Sequence, residues 1–325
     1  MRILIVKTSS MGDLVHALPV VHDIRQANPG VQIEWLAETA FAAIARMHPG
    51  VDRVHALAWR RWRQKLLERG TWRAMGELRA QLRAQPYDCV LDLQGLLKSA
   101  LWGRQAIGPL AGYDMGSARE PLAALLYARR ASVSRRLHAV ERCRRLASTH
   151  LGYPMPSSEP VFGIVPGKGN WKLRGGPSAA LIPCASRPEK IWPEARWIAV
   201  GKRLKSMGLS PVVIWGTEEE QVRAERIAAG CEGEVPPFLN VHDMAALLAQ
   251  TQRAIGLDTG FSHLAAALGK PTIGIYCDHE PGLAGIIGPG GVASIGGKGQ
   301  VPSLQDVLAL LERQRVPQAS SPHAG

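Results

Sequence analysis

The sequence has 325 residues, 46% of them hydrophobic and 20% charged, a globular composition that excludes a disordered chain and favours two domains over one. No apolar run approaches the roughly 18 residues of a membrane-spanning helix, and the segment after Met1 is too short for a signal-peptide core, so we expect a cytoplasmic protein. The five cysteines form no CxxC pair, which argues against a disulfide framework or a zinc site, whereas the net charge of +12 predicts an anionic partner.

The first predicted element is a strand formed by the aliphatic residues 3–6, and the loop sequence SSMGD and a helical pattern follow it. This loop matches neither GxGxxG nor GxxxxGK[ST], the two standard phosphate-binding motifs. Pro19 suits only the first turn of a helix, which predicts a regular helix from near Leu18 and leaves 12–17 as a loop or one irregular turn. Asp13 is then either a helix cap or a carboxylate presented to a ligand, and its spacing favours neither.

Further aliphatic runs in the first half predict strands at 31–36, 54–57 and 89–93. Two basic stretches also lie in this half. Residues 59–83 hold eight basic residues against two acidic ones, and residues 129–145 hold seven against one. Each is either an ordinary charged helix surface or a surface for an anion, which for the second stretch includes anionic lipid head groups. The second half is closer to balanced, so we expect the anionic partner on the first half.

A Gly- and Pro-rich segment at 163–178 predicts a linker between two domains. Aliphatic runs then predict a second set of strands, at 179–184, 211–215, 254–257 and 271–276. Because short strands alternate with helical patterns twice, we predict an α/β protein with two Rossmann-like parallel-sheet domains that face each other across a cleft. The predicted ranges are 1–165 for the first domain, 166–315 for the second and 316–325 for a disordered tail.

Polar residues follow the predicted strands of the second half, where ligands of such sheets bind. After the strand at 179–184, Ser186 and Lys190 suit a diphosphate, although exposed polar residues of a loop are the commoner interpretation. After the strand at 211–215, an acid suits ribose hydroxyls, or the acids only stabilise a helix N-terminus. The candidates are Glu218, Glu219 and Glu220.

After the strand at 254–257, Asp258, Thr259 and Gly260 open a short helix, with His263 one turn further along. A helix N-terminus with free N–H groups, a hydroxyl and a glycine favours an anion, whereas the alternative is a plain cap and a solvated histidine. Together the second-half residues predict a nucleotide-diphosphate site. Asp13 would approach it from the other domain, and the basic first half would hold the acceptor of a transfer reaction.

Five segments of the chain resemble a known family: KTSSMGDLVHALPV, WRRWR, RPEKIWPE, LDTGFSHLAAALGKPTIGIY and EPGL. They resemble the lipopolysaccharide heptosyltransferases of glycosyltransferase family 9, in the same order, from residue 1 to about residue 312. The pattern DTGxxHLxxALxxPT is specific to this family, and the SSMGD opening resembles the first rather than the second heptosyltransferase of the inner core. The resemblance implies the GT-B fold.

The resemblance also implies an activity. An inverting, metal-independent glycosyltransferase without a cofactor would transfer heptose from ADP-L-glycero-β-D-manno-heptose to the inner Kdo of Kdo-lipid A. It would work at the cytoplasmic face of the inner membrane, associated peripherally, and without a nucleic acid partner. Asp13 matches the general base, and Lys190 would stabilise the departing ADP. The residues that match donor-binding positions are Ser186, Lys190, Glu220, Asp258, Thr259, Gly260 and His263. Those that match acceptor-binding positions are Ser10, Met11, Gly12, Arg60, Arg61 and Arg63.

Three alternative functions remain at this point. One is the second heptosyltransferase, or another ADP-sugar transferase of the same family. Another is a basic nucleic-acid-binding protein, although the sequence contains no recognised nucleic-acid module. The third is a nucleotide-sugar epimerase or dehydrogenase, against which the missing GxGxxG argues. We interpret His16, His22 and His48 as structural because they form no ligand cluster.

Overall fold

The computed structural model describes residues 1–314, which form two compact α/β units. Unit 1 comprises Met1–Gly167 together with Gly282–Ala284, and unit 2 comprises Lys168–Pro281 and the residues from Gly285 onward. Each unit contains one parallel sheet, so the predicted fold class of two Rossmann-like domains is confirmed. The tail predicted for 316–325 lies outside the described residues.

Unit 1 has a six-stranded parallel sheet in the order β3-β2-β1-β4-β5-β6. Its strands are β1 Arg2–Val6, β2 Gln32–Glu38, β3 Arg53–Leu57, β4 Cys89–Asp92, β5 Leu110–Tyr113 and β6 Arg129–Ala131. Its helices are α1 Met11–Ala17, α2 Pro19–Ala27, α3 Ala42–Arg46, α4 Trp59–Trp62, α5 Arg69–Leu82, α6 Leu97–Gly103 and α7 Ala139–Leu151. A 3-10 helix over Pro121–Leu126 precedes the edge strand.

Unit 2 has a five-stranded parallel sheet in the order β11-β10-β9-β7-β8. Its strands are β7 Ser178–Ile182, β8 Ser210–Val213, β9 Arg253–Leu257, β10 Thr272–Tyr276 and β11 Val292–Gly296. The helices after β7, up to residue 314, are α8 Glu194–Ser206, α9 Glu218–Cys231, α10 Val241–Gln250, α11 Gly260–Ala267, α12 Pro281–Ala284 and α13 Leu304–Arg313. A 3-10 turn over Pro188–Lys190 precedes α8.

The central strands are apolar except at one end, because helices cover both faces of a parallel sheet. In unit 1, Leu4 and Val6 of β1 are fully buried and pack in one cluster with Leu78 and Leu82 of α5. In unit 2, Trp192 and Trp197 are fully buried and meet edge to face, with ring centroids 5.3 Å apart. Burial of each such side chain contributes about 1.5–3 kcal/mol to the stability of the fold. Together these side chains hold the two sheets, and the candidate site residues follow the carboxyl ends of their strands.

The helix after β1 begins earlier than predicted. Residues 12–17 are neither a loop nor an irregular turn, because α1 runs from Met11 to Ala17 and α2 begins at Pro19. Proline has no N–H to continue the first helix but fits the first position of the second. Pro19 therefore divides two consecutive helices at Leu18 and does not mark where helical structure begins.

The eight predicted strands are all present, with ends within two residues of those predicted, and three further strands were not predicted: β5, β6 and β11. They lie at or next to the edges of the two sheets, away from the strands that carry the candidate site residues. None of the helices within residues 1–314 is long and apolar enough to cross a membrane.

Candidate functional site

In unit 1, the loops after β1 and β4 meet where the strand order reverses. The chain continues from β1 to β2 on one side, and from β4 to β5 on the other. Gln94, after β4, accepts hydrogen bonds at its Oε1 from the backbone N–H of Thr8 at 2.6 Å and from its hydroxyl at 2.8 Å. Such a reversal leaves a crevice at the carboxyl ends of the strands, which is where ligands of open α/β sheets bind.

Asp13 lies beside this crevice in the first turn of α1. Its Oδ2 accepts hydrogen bonds from the backbone N–H of Ser10 at 2.9 Å and from the Ser10 hydroxyl at 3.2 Å. Arg119 Nη1 donates to both carboxylate oxygens at 3.4 Å. The side chain keeps 25% of its surface exposed. Asp13 is therefore the N3 residue of a capping box whose N-cap is Ser10, and its carboxylate is partly exposed to solvent. Its role towards a ligand stays a prediction. The same turn contains the predicted acceptor residues Ser10, Met11 and Gly12.

Surrounding cations keep Asp13 ionised. Burial acts to raise the pKa of this carboxyl, but Lys7, Arg119, the Ser10 N–H and His16 outweigh burial, and the pKa lies below its usual value. A carboxylate that is charged at neutral pH can accept a proton from a hydroxyl placed against it. Sequence reasoning missed Arg119, which lies 106 residues away in the chain, and it treated His16 as only structural.

The basic α4 presents its charges outward and its tryptophans inward. Trp62 is buried, whereas the three predicted acceptor-binding arginines are exposed: Arg60, Arg61 and Arg63. The backbone N–H of Arg60 donates to Glu38 Oε1 at 3.2 Å, and its guanidinium lies 4.9 Å from the centre of the Phe41 ring. These contacts fix the start of α4 at the carboxyl end of β2.

Lys98 connects the arginines with the loop that precedes Asp13. Its Nζ donates to Ser9 Oγ at 3.0 Å. Burial lowers the pKa of Lys98, with further lowering from Arg60 and Arg63 and opposition from Glu38. Lys98 therefore lies in a mixed field of two arginines and two glutamates, in which it is a candidate to pair with an anionic group such as a phosphate. Sequence reasoning had no signal for Lys98, because its neighbours are brought to it by the sheet.

The second basic stretch, at 129–145, is largely structural in its helical part. Arg144 forms a buried bidentate ion pair with Asp23, in which Nε donates to Oδ2 at 2.7 Å and Nη2 donates to Oδ1 at 3.0 Å. Arg145 pairs with Glu141 one turn earlier, and Arg142 donates to the carbonyl of Ser117 at 2.6 Å. The exposed arginines that remain are Arg129, Arg130, Arg135 and Arg136.

In unit 2, the strand order reverses between β7 and β9, and three predicted donor-binding residues meet there. Lys190 Nζ lies 2.5 Å from Asp258 Oδ2, and His263 Nε2 lies 3.4 Å from Asp258 Oδ1. Burial acts to raise the pKa of Asp258, but the hydrogen bonds and charges of His263 and Lys190 hold it well below its usual value. His263 is buried, so its interpretation as a solvated helix residue is wrong.

Thr259 and Gly260 form the N-terminus of α11, where the helix leaves its first N–H groups without helical partners. Thr259 is the N-cap residue, but its hydroxyl makes no capping bond, and within residues 1–314 the buried Oγ1 has no hydrogen-bond partner. A buried hydroxyl without a partner is costly. A phosphate oxygen at this helix end would satisfy it, and the helix dipole favours the negative charge.

The two remaining donor-binding candidates stand apart from this group. Glu220 occupies the first turn of α9, and its Oε2 accepts a hydrogen bond from the Gly216 N–H at 2.8 Å. The carboxylate therefore stabilises the helix end, which was the alternative interpretation. Ser186 is exposed in the loop between β7 and the 3-10 turn.

The other reactive side chains have structural environments. All five cysteines are buried thiols. Gly50 N–H donates to His48 Nδ1 at 2.9 Å, and burial lowers the pKa of His48 to about 4, as expected of a structural histidine. Within residues 1–314, no three or more His, Cys, Asp or Glu side chains are arranged as a metal site.

Comparison with known proteins gives consistent matches. Residues 75–307 match the profile of glycosyltransferase family 9 (heptosyltransferase). The chain is 42% identical over 294 residues to lipopolysaccharide heptosyltransferase 1 of Pseudomonas aeruginosa, and the alignment covers 89% of this chain and 82% of that one. It is 40% identical over 288 residues to the protein of the same name from Escherichia coli K12, and the alignment covers 88% of this chain and 90% of that one.

Solved structures give the same result. The structure of E. coli heptosyltransferase WaaC with ADP superposes with a TM-score of 0.89 at 37% identity, covering 97% of this chain and all of that one. E. coli ADP-heptose lipopolysaccharide heptosyltransferase II superposes with a TM-score of 0.76 at 21% identity, over 96% of this chain and 98% of that one. At that identity the second match supports the fold alone.

Proposed function

The chain belongs to glycosyltransferase family 9, the heptosyltransferases, and we propose that it transfers L-glycero-D-manno-heptose from ADP-heptose to the inner Kdo of Kdo-lipid A, a step of lipopolysaccharide inner-core biosynthesis. The observation that carries the proposal is the pair of complementary sites. Unit 1 has a partly exposed carboxylate, Asp13, whose pKa is lowered, and unit 2 has a lysine and a helix N-terminus, at Lys190, Thr259 and Gly260, that suit an anion. The first site suits a hydroxyl that must lose its proton, and the second suits a departing diphosphate.

Asp13 acts as the general base in this proposal. It takes the proton of the Kdo hydroxyl while that oxygen attacks the anomeric carbon of the heptose. The new carbon–oxygen bond forms as the bond to the β-phosphate oxygen of ADP breaks, and ADP leaves with the electron pair. A single displacement inverts the anomeric configuration and requires one base only, unlike the paired carboxylates of glycoside hydrolysis.

Unit 2 stabilises the leaving group in this proposal. Lys190 neutralises charge on the diphosphate, and the Thr259 hydroxyl and the N–H groups of α11 donate to its oxygens. Ser186 adds a hydroxyl from the neighbouring loop, and Glu220 uses its second oxygen for the ribose. Asp258 and His263 hold Lys190 in place and lie near the donor sugar. These groups supply the charge stabilisation that a metal ion supplies in other sugar transferases, so we propose a metal-independent reaction.

Unit 1 binds the acceptor in this proposal. Ser10, Met11 and Gly12 leave room for the Kdo sugar. The phosphates of lipid A are bound by Arg60, Arg61 and Arg63, because one guanidinium group can donate hydrogen bonds to two oxygens of a phosphate. A membrane-bound acceptor requires the protein to work peripherally at the cytoplasmic leaflet of the inner membrane. We propose no nucleic acid partner, since binding of the acceptor phosphates is a sufficient role for the exposed arginines.

Competition between two acceptors tests the proposed step. We expect the protein to transfer heptose to heptose-free Kdo-lipid A with a kcat/KM about tenfold or more above that for the acceptor already carrying one heptose, a difference of about 1.4 kcal/mol in transition-state binding. Mass spectrometry of the product from a mixture of both acceptors measures the ratio. Preference for the one-heptose acceptor would assign the chain to the second transfer instead.

A further inference from the structure

Unit 1 contains an apolar pocket that the proposed chemistry does not use. Its volume is about 470 Å³, within the range of about 300–1,000 Å³ that is typical of ligand sites. Its walls are supplied by large apolar side chains from three helices: Trp59, Trp72, Met75, Leu101 and Trp102. Two of these residues remain more than half exposed, Trp72 at 59% and Leu101 at 52%. Exposed aromatic and aliphatic surface in one concave patch indicates a binding site.

Helical periodicity explains how the pocket forms. The residues that α5 contributes are spaced as i, i+3, i+4 and i+7, at positions 72, 75, 76 and 79. The residues at positions 98, 101 and 102 of α6, and Gln105 just after that helix, follow the same spacing. Each helix therefore turns one stripe towards the pocket. Met75 also packs against the core cluster that contains Leu78, Leu82 and Trp102, so the pocket lies directly beside the hydrophobic core of unit 1.

The aromatic walls are held in place before any ligand binds. Trp72 Nε1 donates to the carbonyl of Leu66 at 2.7 Å. Trp102 meets the Trp59 ring edge to face at 6.3 Å and the buried Trp62 ring at 5.6 Å. Fixed aromatic walls lower the entropy cost of binding, so a flexible apolar chain can be held by burial alone.

Cations at the pocket identify the kind of molecule that fits. Lys98 and Arg79 are among the lining residues. Lys98 also donates to Ser9, four residues before Asp13, and it lies in the field of Arg60 and Arg63. An apolar pocket that adjoins several cations is complementary to an amphiphile whose acyl chain continues from an anionic head group.

We propose that this pocket binds an acyl chain of the lipid acceptor while the cations bind its phosphorylated head group. The inference rests on the proposed function, because it assigns a second part of the same acceptor to the same unit. It adds a specificity determinant that recognises the lipid and takes no part in the chemistry. The pocket then holds the acceptor by its tail while the sugar lies at the loop beside Asp13.

Gly76 allows the pocket to be filled without disturbing the fold. A Cβ added at Gly76 meets nothing within 4 Å, and the same holds at Gly70 of the same helix, which does not line the pocket. Leucine favours a helix more than glycine does, so Gly76→Leu and Gly70→Leu should both fold at least as stably as the wild type. Only Gly76→Leu should occupy the pocket, which makes Gly70→Leu its matched control.

The test compares the dissociation constants of acylated and fully deacylated Kdo-lipid A, measured by calorimetry in the same detergent. We expect Gly76→Leu to weaken binding of the acylated acceptor about tenfold, as loss of about two buried methylenes would. Binding of the deacylated acceptor should not change, and Gly70→Leu should change neither constant. Arg60→Glu should weaken both acceptors, because both carry the phosphorylated head group.

Three outcomes would overturn the inference. Equal effects of Gly76→Leu on both acceptors would mean that the substitution perturbs the head-group site, and no effect on either would mean that the tail does not enter the pocket. The third outcome concerns phosphatidylglycerol vesicles that bind the wild type in the absence of acceptor. Loss of that binding in Gly76→Leu, to the same extent as the loss of acylated acceptor, would assign the pocket to bilayer lipid. Failure of the wild type to transfer heptose would instead refute the proposed function, which the binding measurements do not depend on.

Discussion

Asp13→Asn is expected to lower kcat about 10²- to 10⁴-fold, the usual contribution of a general base, while ADP binds as tightly as to the wild type. Asparagine cannot take up the proton, but its amide oxygen can still accept the hydrogen bond from the Ser10 N–H that starts α1. The substitution therefore removes the proposed chemistry and keeps the local structure. Single-turnover kinetics and ADP calorimetry measure the two quantities.

Asp13→Ala separates the two roles of this residue. Alanine loses the base and the cap together, so it should be as inactive as asparagine and also less stable, because loss of a cap costs about 0.5–2 kcal/mol. Thermal unfolding of both variants measures the difference. Turnover by Asp13→Asn within about tenfold of the wild type would contradict the base assignment, whatever the stability of the alanine variant.

Lys190→Ala is expected to reduce kcat/KM for ADP-heptose about 10²-fold or more, with little change in the KM for the acceptor. The lysine is the cation that the proposal places against the diphosphate, and loss of one preorganised donor at a developing charge typically costs about 10²–10³ in rate. The same change leaves the buried Asp258 carboxylate with His263 alone, so the pKa of Asp258 should rise and the variant should be less stable.

A double variant distinguishes the catalytic from the structural effect. Lys190→Ala combined with Asp258→Asn removes the carboxylate that the lysine would leave unpaired, so the melting temperature should recover towards that of the wild type. Donor kinetics should remain impaired, because the diphosphate still lacks its cation. Recovery of kcat/KM together with stability would show that Lys190 serves only to neutralise Asp258.

Periodicity predicted eight strands, including the edge strands β3 and β8, and missed β5, β6 and β11. Strands such as β1 and β9 are apolar after their first residue, an arginine in each, because both of their faces are buried. The missed β5 has the sequence LAGY and β6 the sequence RRA, with two exposed arginines. β5 is fully buried, but its four residues include a glycine and form too short an apolar run to identify from the sequence, and β6 has a single buried residue.

The candidate site could be predicted where it follows a strand and not where it depends on distant residues. Asp13, Lys190 and Thr259 could be named as candidates because ligands of parallel sheets bind at the carboxyl ends of the strands. Arg119 and Lys98, which adjoin the Asp13 loop, come from other strand connections and carry no local signal. The start of the first helix was misplaced because Pro19 fits equally well at the beginning of a second helix.

The most direct test of the proposed activity is heptose transfer itself, measured by mass spectrometry after incubation of the protein with ADP-heptose and Kdo-lipid A, with and without EDTA. We predict a product one heptose heavier, with inverted anomeric configuration, at the same rate in both samples, because protein side chains and the α11 N-terminus stabilise the diphosphate. A rate that falls to background in EDTA and returns with added divalent cation would contradict the metal-independent mechanism, and no product in either sample would contradict the function.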